Sequence, residues 1–124
     1  AIVCSAGITA NNGSPAAGQA INVLDQLDLD LTCHRSQPLS YALANSADLI
    51  LTLSNSHQQA IVNEWPEFAD KTSLLAHDGS SVSDPIGGSF EIYQQCATQI
   101  DTHLDKQRSR INNLIIPDQD IIRE

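Results

Sequence analysis

The run Asp48-Leu49-Ile50-Leu51-Thr52-Leu53 constrains this fold more than any other segment. It has no polar alternation through its middle. A strand with one wet face alternates apolar and polar side chains, so a continuous apolar run implies cover on both faces, as in a parallel sheet. A second short run, Thr72 to Ala76, reads the same way, and Ala1 to Ser5 reads as a third strand ended by Ala6-Gly7. Helical patterns fall between and after them. Ser14-Pro15 reads as an N-cap followed by a proline at the first helical position, with Ala17, Ala20, Ile21, Leu24 and Leu27 on one apolar face. Ser36 and Pro38 repeat that start for a short helix to about Ala44. Ser54 or Asn55 caps a helix that ends near Glu64, before Pro66. Ser89 to Lys106 is the longest helix, with Tyr93, Cys96, Ala97, Ile100 and Leu104 on one face. Strands and helices in alternation predict an α/β, three-layer arrangement around a short parallel sheet. Residues 112–124 read as an added strand, an interface arm or a tail.

Composition narrows the function classes. The net charge is −9, with six Lys and Arg, so phosphate backbones and anionic membrane surfaces are repelled. No nucleic-acid or membrane partner is expected, and no apolar run approaches the roughly 20 residues of a bilayer span. Three cysteines without close spacing argue against a disulfide framework and for a reducing, cytoplasmic location. Cys4, Cys33, His34, His57 and His77 include no pair at metal-ligand spacing, and no glycine-rich dinucleotide fingerprint is present. No metal or other cofactor is implied.

One loop carries chemistry. Asp84-Pro85-Ile86-Gly87-Gly88 stands just before the longest helix, combining a carboxylate, a rigid proline and two glycines that permit a tight entry. In open α/β sheets the ligand site lies beyond the carboxyl ends of the strands. The segments after Ser5 and Leu53, and the Asp84 loop, lie on that edge or reach it.

These pieces, taken in order, resemble the low-molecular-weight protein-tyrosine phosphatase family. The match begins with Ser5-Ala6-Gly7-Ile8, Gly13-Ser14-Pro15-Ala16, and His34-Arg35-Ser36 with Leu39. It continues through Ala47 to Leu53, His57, and Lys71 with Leu74-Leu75, and closes on Asp84 to Gly88 with Tyr93. The resemblance spans about Val3 to Lys106. It implies a sheet whose first, central strand leads into a Cys-x5-Arg phosphate loop, and both are missing from this chain. Six residues after Cys4, Cys33 and Cys96 stand Ala10, Leu39 and Thr102, none of them Arg. The chain also opens inside a strand-like run and contains no Met, so a fragment of a longer protein is expected. The expected division is an N-terminally incomplete phosphatase-like domain over 1–110 and a tail over 111–124.

By resemblance, the parent hydrolyses phosphotyrosine on protein substrates through a phosphocysteine, and Asp84 is its general acid and base. Ser5 buttresses the phosphate loop, and Ile8 and Asn11 belong to a wall of the substrate cleft. Phosphoarginine is an alternative substrate. Without nucleophile or arginine the chain alone is expected to be inactive, or to act as a binding module. Self-association or a partner strand would fill the place of the missing strand.

Overall fold

The computed structural model describes residues 3–76 and 78–115. The element order is α1 (Gly18–Asp25), α2 (Tyr41–Ser46), β1 (Ile50–Thr52), α3 (Asn55–Glu64), a 3-10 turn (Pro66–Lys71), β2 (Thr72–Leu74), α4 (Phe90–Lys106) and α5 (Arg108–Ile115). The two strands pair in parallel, Ile50 opposite Thr72 and Thr52 opposite Leu74. Their continuous apolar character is thus explained: Thr52, Leu75 and Ala76 are buried, and Ile50 and Leu51 are half-buried. The parallel α/β class expected from the sequence is the one observed.

α3 and the 3-10 turn pack against the strands, while α1 lies along α4. The core gathers Val23, Ala44, Ile61, Phe68, Leu75, Val82 and Tyr93. Tyr41, Trp65 and Phe68 form an aromatic corner, with ring centroids 5.3 to 6.0 Å apart. Lys71 closes that corner. Its ammonium sits 4.4 Å from the Phe68 ring centroid and donates to the carbonyls of Asn45 and Ala47 at the end of α2. Placing a cation on the last carbonyls of a helix complements the helix dipole.

The outer side of β2 is closed by the junction of α4 and α5. The buried Gln107 donates its side-chain amide to Leu74 O at 3.3 Å and Leu75 O at 3.0 Å. Arg110 donates to Ser73 Oγ at 2.7 Å. Side chains that occupy carbonyls beside a strand blunt it as a template for further pairing.

Four expectations need correction. Val3 to Ala6 form no strand, and Val3 is 92% exposed. A strand persists where a neighbour satisfies its backbone, and among the described residues of this stretch the one bridge is that of Gly7 to Pro38. Ser14-Pro15 does not start α1; Pro15 is bridged to Arg35, and the cap position is Ala17, with no side-chain hydrogen bond. Ser40, not Ser36, caps α2, its hydroxyl accepting from Leu43 N. On α1 the buried residue is Val23, while Leu27 lies past the helix end and is 59% exposed. Residues 112–115 are helical, and the rest of the expected tail, 116–124, falls outside the described residues, as do Ala1 and Ile2. The caps expected at Ser54 and Ser89 are present, accepting from His57 N and Ile92 N.

Candidate functional site

Two loops carry the residues expected to do chemistry. The first runs from Ser5 to α1 and is laced to the 34–39 segment. Gly7 N donates to Gln37 O at 3.0 Å, and Leu39 N returns to Gly7 O at 2.9 Å. Gly13 takes the left-handed region at φ 86° and donates to Ser36 O, while Ser36 N donates to Ser14 O. Ser36 also uses its hydroxyl twice, accepting from Ser14 N and donating to Asn11 O. Gln37 Nε2 reaches Ser5 O at 2.8 Å. Between the two segments lies an open hollow of about 210 Å³ lined by Ser5, Gly7, Ala10, His34, Ser36 and Gln37. Ser5 is therefore part of a hollow. Ile8 sits on the turn at its side, 40% exposed, and Asn11 is exposed.

The second loop begins at the buried Val82, whose N–H bonds Leu53 O at 2.7 Å just beyond β1. Asp84 Oδ1 accepts from Ile86 N at 3.0 Å, and Gly88 N donates to Pro85 O at 2.8 Å. The carboxylate thus folds the loop over itself as an Asx turn, a common device of Asp. Gly87 has φ 78°, a region costly for any other residue. Gly88 is needed for space: a Cβ there would stand 2.8 Å from Pro85 O and 2.9 Å from Ile92 Cγ2. Ser89 then caps α4. Asp84 remains exposed, and Ile86 beside it is 77% exposed.

Among the described residues no hydrogen bond joins Asp84 to Ser5, Ile8 or Asn11. Ser5, Ile8 and Asn11 belong to one loop and Asp84 to another. Sequence reasoning missed Gln37 and took Ser36 for a helix cap, whereas both organise the first loop. Their partners lie 22 to 32 residues away, so no local pattern marks them.

Cys96 is the sulfur beside the Asp84 loop. Its thiol donates to Ser83 O at 3.7 Å. Burial pushes the thiol up from its ordinary value, and the Asp84 charge adds to the effect. A raised value depletes the thiolate, so Cys96 is a poor nucleophile at neutral pH. The described geometry presents an exposed carboxylate on a braced loop, able to give or take a proton.

The model of the family described as low molecular weight phosphotyrosine protein phosphatase matches residues 1–114. A protein-arginine-phosphatase of Bacillus subtilis (strain 168) is 35% identical over 103 residues, which is 80% of this chain and 68% of that protein. The low molecular weight protein-tyrosine-phosphatase Ptp of Acinetobacter johnsonii is 30% identical over 99 residues, 79% of this chain and 70% of its own length. The solved structure of Vibrio vulnificus Wzb in complex with benzylphosphonate superposes with a TM-score of 0.82 at 32% identity, covering 87% of this chain and 78% of that one.

Proposed function

The chain belongs to the low molecular weight phosphotyrosine protein phosphatase family, and from that premise we propose that it supplies the general-acid part of a protein phosphatase site. The observation that carries this reading is Asp84, an exposed carboxylate on a loop closed by an Asx turn at the entry to α4. In the proposed reaction a thiolate from a Cys-x5-Arg segment outside this sequence attacks phosphorus. The bond from phosphorus to the leaving oxygen breaks with its electron pair on that oxygen, and Asp84 protonates it. Water then attacks the phosphocysteine, gives its proton to the Asp84 carboxylate, and releases phosphate and thiolate.

The hollow lined by Ser5 and His34 would receive the phosphate loop, with Ser5 as its buttress. Ile8 and Asn11 would form the cleft wall. Self-association or a partner strand would fill the place of the missing strand. Three cysteines without close spacing support a reducing, cytoplasmic place.

Phosphotyrosine on a protein is the substrate we favour. The name of the Bacillus subtilis relative supports phosphoarginine as a second reading. The test is hydrolysis of p-nitrophenyl phosphate by the 124-residue chain and by a form extended upstream with a Cys-x5-Arg loop. The expected result is no turnover in the first and turnover in the second. Matched phosphotyrosine and phosphoarginine peptides then separate the substrates. Turnover by the 124-residue chain, lost on Asp84→Asn, would overturn the assignment of the nucleophile.

A further inference from the structure

We propose that Gln19 is a positioning residue for the Asp84 loop. The loop is bounded by two carbonyls, Ser83 O before Asp84 and Gly88 O at the entry to α4. Each accepts from a helix side chain. The Cys96 thiol, on α4, reaches Ser83 O at 3.7 Å. The Gln19 side-chain amide, on α1, reaches Gly88 O at 3.2 Å. The two donors stand on helices that pack along each other. The thiol is a weak donor and the amide a full one, so the Gln19 bond is the stronger tether.

Gly88 O precedes the Ser89 cap and lies before the first turn of α4. Gln19 is the second residue of α1, directly after the loop that carries Ser5, Ile8 and Asn11. It therefore ties one loop of the candidate site to the other across 69 residues of sequence. A shift of α1 against α4 would move the Asp84 carboxylate relative to whatever occupies the first loop. Proton transfer tolerates little misplacement, so this tether sets how well the acid meets its leaving group.

The inference rests on Asp84 as general acid, and the experiment separates the two. In the upstream-extended, active form, Gln19→Leu should lower kcat/KM, which reports only the steps through cleavage of the leaving group, about 10-fold for phenyl phosphate. For 2,4-dinitrophenyl phosphate, whose leaving group needs no proton, the loss in kcat/KM should stay within about twofold. Competitive inhibition by inorganic phosphate should hold. With Asp84→Asn already present, Gln19→Leu should add nothing. Gln19→Glu keeps the side-chain length, removes the donor and should behave as Gln19→Leu does. Equal losses on both esters, or losses that multiply with Asp84→Asn, would overturn the positioning role. If Asp84→Asn itself shows no leaving-group dependence, the acid assignment fails, and the tether is then judged in the 124-residue chain. There, Gln19→Leu should speed iodoacetamide alkylation of Cys96 relative to the exposed Cys4. An unchanged ratio would show that Gln19 does not brace the loop.

Discussion

Gln107 Nε2 stands 3.0 Å from Leu75 O, so a side chain from the end of α4 completes the backbone of the segment leaving β2. The residue is buried and its amide also serves Leu74 O. Gln107→Leu keeps similar bulk but leaves two carbonyls without that donor. The expected cost is about 1–3 kcal/mol, read from urea denaturation of the 124-residue chain. An unchanged midpoint would mean that water replaces the amide without penalty.

Ser36→Ala removes a hydroxyl that both accepts from Ser14 N and donates to Asn11 O. The backbone pair between Ser36 and Ser14 remains, so the loop should loosen without unfolding. We expect a loss of about 1 kcal/mol in stability. Faster hydrogen exchange at Gly13, whose N–H bonds Ser36 O at 2.8 Å, is the local readout. If Gly13 exchanges at its former rate, the hydroxyl is not what orders this wall.

Asp84→Asn in the upstream-extended form should reduce kcat for an ester with a poor leaving group by roughly 10²–10⁴-fold. The amide can still accept from Ile86 N, so the loop should keep its shape. A nearly unchanged rate would remove Asp84 from the mechanism.

Cys96 offers a pH-dependent check. Its thiol holds its proton above the ordinary range, first through burial and then through the Asp84 charge. Alkylation should therefore rise at a higher pH than for an unstructured cysteine peptide. Asp84→Asn should move the curve down only part of the way, because burial remains. The same shift sets a sign for stability. In alkaline solution the unfolded thiol loses its proton first, so stability falls as pH rises past the ordinary thiol value, until the folded thiol ionises too. A curve that coincides with the peptide's would contradict the geometry around Cys96.

The elements most legible in the sequence are those whose signals are local. Ser54 and Ser89 stand directly before helical patterns, and both are caps. The Leu49 to Leu53 run marks β1 because burial on both faces needs only apolar side chains in series. Ser14-Pro15 misleads because the same residues serve equally well in an irregular segment. There the Ser backbone bonds Ser36 and the Pro bridges Arg35. The short strand-like start fails for another reason: its signal describes a preference, and pairing requires a neighbour. Within the candidate site, Asp84 was visible as an Asp-Pro turn at a helix entry. The roles of Gln19, Ser36 and Gln37 were not, and neither was that of Gln107 beside β2, since a glutamine or serine is given a role by a partner far along the chain.

The aromatic corner gives the chain its own optical gauge. Trp65 is the one tryptophan, and Tyr41 at the start of α2 lies 5.9 Å from it, centroid to centroid. Light absorbed by Tyr41 will pass to the indole at that range, and the emission of a single residue will report whether α2 still rests against the end of α3. Loss of that transfer before the helical signal fades would identify this corner as the first part of the molecule to open.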